Sequence, residues 1–201
     1  MQSDPQFELE RACKEGLPRI AQQAIVAGAQ INSSRSNLSG DFPIQRAIRH
    51  KRDSVVRVLI EAGAEVGSVP GQGHEPPLAV AIQVQSLSLV QLLLAAGASP
   101  SVPYRRDTFF DQMTPGMEAL FAEPLEGHET WLSIFAALLD AGADLDTPFQ
   151  THRDDTPTAR LMAFKDFPEA FALIERQALT APARLEAGRE LAVKPAFDRA
   201  I

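Results

Sequence analysis

Leu93-Leu94-Ala95-Ala96-Gly97-Ala98 closes an apolar run on a glycine, and the chain does this again and again. The other closings are Ile25-Val26-Ala27-Gly28-Ala29, Leu59-Ile60-Glu61-Ala62-Gly63-Ala64 and Leu138-Leu139-Asp140-Ala141-Gly142-Ala143. A degraded copy reads Leu173-Ile174-Glu175-Arg176-Gln177-Ala178. The glycines stand at 28, 63, 97 and 142, in steps of 35, 34 and 45. A fixed period of this size marks a solenoid of stacked units. A glycine just past an apolar helical run adopts the left-handed conformation without a Cβ clash, so it ends the helix cleanly.

A second mark lies 20 residues upstream of the glycines. Pro43 precedes Gly63 and Pro77 precedes Gly97 by that distance. Proline in the first helical turn loses no helix hydrogen bond, so these prolines mark helix starts. Four residues on comes a small residue, Ala47 and Ala81, with Ala119 after Pro115; it lets neighbouring helices approach closely. Two short helices per unit are predicted. In unit two they run from Pro43 to about His50 and from about Asp53 to Ala62, with Asp53 placed to accept from free helix N–H groups. In unit three they run from Pro77 to about Val84 and from Leu87 to Ala96, with Ser86 as a cap. Helices of roughly ten residues are marginal alone, so each must bury its apolar face against the next unit.

This pattern resembles the ankyrin-repeat family, whose unit reads roughly T-P-L-H-x-A and ends L-L-x-x-G-A-D. The opening appears as Phe42-Pro43-Ile44-Gln45-Arg46-Ala47 and Pro76-Pro77-Leu78-Ala79-Val80-Ala81. It is weaker as Thr114-Pro115-Gly116-Met117-Glu118-Ala119 and Thr156-Pro157-Thr158-Ala159-Arg160-Leu161. Glu8-Leu9-Glu10-Arg11-Ala12 lacks the proline, no unit keeps the histidine, and Gln177 stands where the fifth glycine belongs. The resemblance implies an all-α, ankyrin-type helical solenoid of about five helix-turn-helix repeats with finger loops. The repeat domain spans 1–178, with units at about 7–40, 41–73, 74–113, 114–154 and 155–178. Residues 179–201 form a C-terminal helix or tail, read as a cap on the stack. The long third step divides into about four extra residues near 99–113 and about seven near 122–130, between the helices of unit four.

Composition narrows the class. No apolar run approaches the ~20 residues of a membrane span, and Met1-Gln2-Ser3-Asp4-Pro5 does not open a signal peptide. Cys13 is the only cysteine, which excludes an intramolecular disulfide and fits a reducing, cytoplasmic setting. The net charge of −7 argues against a nucleic-acid partner. The triplets Asn32-Ser33-Ser34 and Asn37-Leu38-Ser39 read as chance glycosylation matches.

The sequence carries no recognisable catalytic or metal-binding signature. Gly71-Gln72-Gly73 follows Pro70 and lacks the third glycine and the helix start of a nucleotide loop. One cysteine and four scattered histidines make no zinc pattern. His74-Glu75 and His128-Glu129 read as solvated loop residues, Cys13 as a packed thiol, and Asp144, Asp146, Asp154 and Asp155 as turn chemistry. The basic run Arg46, Arg49, His50, Lys51, Arg52 complements the end of a helix dipole. No cofactor is expected, and no enzymatic activity.

By the resemblance, a partner would bind the concave side, made of finger loops and exposed positions of the first helices. The loop after unit three, Ser99 to Met113, holds the only tyrosine, an arginine pair and two phenylalanines. Aromatics and arginine are enriched at interface centres. The candidate contacts are Tyr104, Arg105, Arg106, Phe109 and Phe110, with Phe149, His152 and Arg153 beside them. Tyr104, Arg105 and Arg106 are expected to be exposed, Phe109 or Phe110 partly buried, and Trp131 a core anchor opening the second helix of unit four. The expected function is a non-catalytic protein-interaction module, an adaptor, inhibitor or stabiliser, monomeric when free. A bacterial immunity protein masking a toxin is one specific version; an enzyme or enzyme regulator with a site near 99–155 is the rival.

Overall fold

The computed structural model describes residues 4–33, 41–67, 75–104, 114–121, 128–143, 169, 172 and 173. Among these, eight helices alternate in two roles. The first helices of the units are α1 (Pro5–Glu15), α3 (Pro43–Arg49), α5 (Pro77–Gln83) and α7 (Pro115–Phe121). The second helices are α2 (Pro18–Val26), α4 (Asp53–Glu61), α6 (Leu87–Ala95) and α8 (His128–Asp140). Each first helix packs on the next first helix and each second helix on the next second helix, so the units stack in two parallel rows. One continuous apolar core runs between the rows, from Leu9 and Ala12 through Leu59, Leu78 and Leu93 to Phe135 and Leu138. Leu173 of the fifth unit also packs against it.

The repeating turn is built as the glycines require. Gly28, Gly63, Gly97 and Gly142 all have positive φ, between 83° and 96°. The alanine after each glycine donates its N–H back to the helix: Ala29 to Ala24, Ala64 to Leu59, Ala98 to Leu93 and Ala143 to Leu138. That bond satisfies a carbonyl the helix end would leave orphaned.

The turn inside each unit uses the same device. Gly16, Lys51 and Gln85 occupy equivalent positions and have φ of 81°, 53° and 50°. The N–H groups of Leu17, Arg52 and Ser86 reach back to the carbonyls of Ala12, Ala47 and Ala81. The small residues predicted to allow close helix approach are therefore fully buried and also accept the bond that ends their helix. Two of the three left-handed positions are not glycine, and a side chain there costs about 1 kcal/mol. Lys51 is exposed. Lys51→Gly is expected to raise the unfolding free energy by about 1 kcal/mol, read as a higher urea midpoint at unchanged m-value.

Several local expectations need correction. The first unit does have its proline: Pro5 opens α1, and Asp4 caps it by accepting from the Gln6 N–H at 2.9 Å. That start lies three residues before the position expected from the spacing, so α1 is 11 residues long. Asp53 is the first residue of α4 rather than its cap, and its carboxylate accepts from the Ser88 hydroxyl of the next unit. Ser86 sits at the start of α6 but makes no side-chain capping bond; its hydroxyl lies 3.1 Å from that of Ser88.

Unit four shows where part of its extra length goes; residues 122–127 lie outside the described residues. α8 has 13 residues where α4 and α6 have nine, and all three end at the same distance before their glycine. The extension is therefore an additional helical turn at the N-terminus, and His128 and Glu129 lie in it rather than in a loop. Trp131 is buried on this turn, stacked on Phe135 at 5.5 Å, and its indole N–H donates to the Ala119 carbonyl at 2.7 Å. Ala119 is the counterpart of Ala12, Ala47 and Ala81, whose carbonyls take a turn N–H. A side chain thus supplies the kind of donor that the backbone turn supplies in the other units. Trp131 is the expected core anchor, three residues inside the helix it was expected to open.

Gly116 is also explained. It stands where Ile44 and Leu78 stand in units two and three. Its N–H donates to the Pro100 carbonyl at 2.8 Å, and a Cβ there would lie 3.0 Å from that of Ala143 and 3.3 Å from the Pro100 carbonyl oxygen. A leucine there would press on Ala143 and the Pro100 carbonyl, which would have to give way.

Candidate functional site

The first-helix row carries a chain of polar side chains running from unit two to unit four. Arg49 on α3 donates from Nε to Asp41 at 3.1 Å and from Nη2 to Glu75 at 3.2 Å. Gln83 on α5 sits one repeat further on, 34 residues from Arg49, and its Nε2 donates to Glu75 at 3.0 Å and to Glu118 at 3.1 Å. Glu118 on α7 is buried, and its second oxygen accepts from the Tyr104 hydroxyl at 2.7 Å. Units one and two are joined in the same row by Arg46 and Glu10 at 3.1 Å. Exposed ion pairs of this kind contribute little energy each. Their effect is to hold several long side chains in one geometry and present a fixed pattern of charge.

Amide side chains fasten the units from the finger side. Gln6 clasps the backbone of Gln30, accepting its N–H at 2.7 Å and donating to its carbonyl at 3.3 Å. Asn32 donates to the Gly63 carbonyl at 3.2 Å and accepts from the Glu65 N–H at 3.0 Å. Gln45 accepts from Phe42 N–H at 2.8 Å and donates to the Glu75 carbonyl of the following unit. Reading the sequence alone assigned none of these roles. The signal was present for Gln45, which stands in the place of the missing histidine of the T-P-L-H pattern. For Asn32 it was not, because the partner backbone lies about one repeat away.

Tyr104 corrects the expectation directly. It was to be an exposed contact; it is 6% exposed and bonded to Glu118. A phenol hydroxyl that finds a carboxylate within the fold is better placed inside than in water. Tyr104 is thus an anchor where the chain enters the loop, not part of a free surface. Arg105, Arg106, Phe109, Phe110, Phe149, His152 and Arg153 lie outside the described residues, as do residues 179–201.

Cys13 is fully buried on α1. Burial pushes its thiol up to about 12, with Arg46 pulling the other way and Glu10 adding to the rise. The unfolded thiol ionises near 8.5–9, so the native state holds the proton more tightly. Stability from this group is present below about pH 9 and is lost as pH rises towards 12. The expected result is no reaction of native protein with Ellman's reagent at pH 8 and one thiol per chain in denaturant. Among the described residues no three His, Cys, Asp or Glu side chains gather as a metal ion would require. No helix among them is long and apolar enough to cross a membrane.

Residues 9–104 match the family model for ankyrin repeats, in three copies. The match covers α1 from Leu9 through α6 and ends on Tyr104, the residue that ties the third unit to the fourth. No curated protein matches the chain. The family's repeats generally serve as protein–protein interaction modules. The left-handed turns at a 34–35 residue spacing, the two rows of short helices and the family match lead to one assignment: residues 9–104 are three ankyrin repeats.

Proposed function

We propose that the protein is a non-catalytic binding module that covers part of a partner protein with its first-helix row and finger loops, as an adaptor, inhibitor or stabiliser. The observation that supports this most is the bonded chain Asp41–Arg49–Glu75–Gln83, which is fastened to the buried pair Glu118–Tyr104 and so pre-orders polar side chains of units two and three. A surface ordered before binding loses less entropy on association. Tyr104 leaves the set of contacts and becomes the anchor of the loop. Arg105, Arg106, Phe109 and Phe110 remain its contact residues, with Phe149, His152 and Arg153 in the next loop. The buried single thiol fits a cytoplasmic, reducing setting.

The test is capture from the native organism with the wild-type chain and with Arg105, Arg106, Phe109 and Phe110 changed to alanine. Tyr104 is left intact so that both proteins melt alike. The candidate partner is then purified and titrated by calorimetry. A saturable complex with the wild type, weakened at least about tenfold in the variant, is expected for a loss of hot-spot contacts. Equal affinity for both moves the interface away from this loop. Turnover of a substrate by the purified chain would overturn the non-catalytic reading.

A further inference from the structure

The finger loops are fastened to one another from one register position. Asn32, Gly67 and Ser101 each stand four residues past the turn glycine of their own unit. Asn32 reaches from unit one to the next finger, donating to the Gly63 carbonyl at 3.2 Å and accepting from the Glu65 N–H at 3.0 Å. Ser101 reaches from unit three to unit four, where its hydroxyl donates to the Gly142 carbonyl at 3.3 Å. Between these two the ladder is broken. Gly67 has no side chain to send to unit three, although a Cβ there would lie 3.9 Å from the Gly97 carbonyl oxygen.

The break leaves a pair of backbone groups open. Gly97 and Ser99 occupy in unit three the positions of Gly63 and Glu65 in unit two. Both are exposed, and among the described residues no hydrogen bond ends on the Gly97 carbonyl or starts from the Ser99 N–H. The clasp at unit two shows what such a pair accepts. Gly63 and Glu65 flank Ala64, and the carbonyl before a residue and the N–H after it are the two groups a neighbour bonds in parallel pairing. The Asn32 carboxamide imitates that neighbour with one donor and one acceptor. Gln6 uses its own carboxamide in a related way on the N–H and carbonyl of Gln30. The pair around Ala98 is the same pair without its amide.

We propose that the finger of unit three, through the Gly97 carbonyl and the Ser99 N–H, receives an amide group of a partner protein in the place that Asn32 fills at unit two. This rests on the reading of the chain as a binding module and gives its finger side one specific contact. An amide presents a donor and an acceptor together, whereas a carboxylate only accepts and an ammonium only donates. The amide is either an Asn or Gln side chain or a peptide group of an extended segment laid along the finger. Each of the two bonds replaces one to water, so together they contribute about tenfold in affinity. A side chain is admissible at 67, which makes the gap testable: φ there lies outside the left-handed region, and a Cβ would make only ordinary van der Waals contact.

The test variants of the full chain are Gly67→Asn, which supplies the amide from within, and Gly67→Ala, which adds bulk without it. Hydrogen exchange at the Ser99 N–H should slow about fivefold in Gly67→Asn and less than about twofold in Gly67→Ala, the difference one hydrogen bond makes. The probe is a phage-displayed random-peptide library selected on the wild-type chain, its enriched peptides then synthesised and titrated by fluorescence anisotropy. A peptide that binds wild type and Gly67→Ala alike, and Gly67→Asn about tenfold more weakly, is the expected result. Loss of that binding when one peptide Asn or Gln becomes Asp or Glu assigns the amide to a side chain. Loss on methylating one peptide nitrogen assigns it to the main chain. Unchanged Ser99 exchange in Gly67→Asn would overturn the proposal, as would peptides that bind all three proteins alike or no retained peptide at all. A peptide lost only when Arg105, Arg106, Phe109 and Phe110 become alanine would overturn it too, and would leave the finger-loop reading standing.

Discussion

Trp131→Ala should lower the unfolding free energy by about 3–5 kcal/mol, the range for removing a large aromatic from a packed core. Trp131 lies between the two helices of unit four, stacked on Phe135 with an interplanar angle of 5°. Truncation removes that contact and opens a cavity against Phe135 and Ile134, which are themselves buried. It also takes away the donor to the Ala119 carbonyl. The two parts can be separated. Trp131→Phe keeps most of the apolar volume and loses the indole N–H, so it should cost only about 1–2 kcal/mol. Urea denaturation followed by far-UV circular dichroism measures both, since the chain has no second tryptophan to report by fluorescence. If the phenylalanine variant is as damaged as the alanine one, the hydrogen bond to Ala119 dominates over packing. If neither loses more than about 1 kcal/mol, unit four does not fold cooperatively with the rest.

Glu118→Ala should cost about 3 kcal/mol. The residue is 1% exposed and receives both Gln83 Nε2 and the Tyr104 hydroxyl. Hydrogen bonds to a charged acceptor contribute about 1.5–3 kcal/mol, and a buried donor left without its partner adds its own desolvation cost. Tyr104→Phe removes one arm alone and should cost about 1–2 kcal/mol. A double-mutant cycle between the two should return a coupling of at least about 1 kcal/mol, because residues bonded in one network do not behave additively. The consequence for function is specific. Glu118 holds the residue at which the chain enters the 105–113 loop, so Glu118→Ala should weaken partner binding without touching a contact residue. A variant that loses stability but binds with unchanged affinity would separate the anchor from the loop and undo that link.

Much of the fold could be read directly. The helix starts at Pro43 and Pro77 and the turns at Gly28, Gly63, Gly97 and Gly142 are where the spacing put them. They were legible because each rests on a local constraint: a ring that presets φ, or a residue without a Cβ. What failed was also local in appearance. Ser86 and Asp53 look like caps, yet their side chains point to other partners, Ser86 to Ser88 and Asp53 to Ser88 of the next unit. His128 and Glu129 resemble loop residues because the insertion before them is polar, yet they extend α8. The candidate site was less legible still. Tyr104 was singled out by composition, but a tyrosine's value as a contact depends on whether its hydroxyl finds water or a carboxylate. That carboxylate, Glu118, sits 14 residues on and belongs to another unit.

The sequence by itself determined the period and the helical unit, since proline, glycine and buried alanine act through the backbone of the residue that carries them. Which surfaces are available was decided only by the tertiary structure. Burial of Tyr104 against Glu118, the crossing of Arg52 over Gly16 and the relay from Gln83 to Glu118 each depend on a residue of a neighbouring unit. A side chain's burial is a property of its neighbours, and neighbours across a stack belong to different units of the sequence.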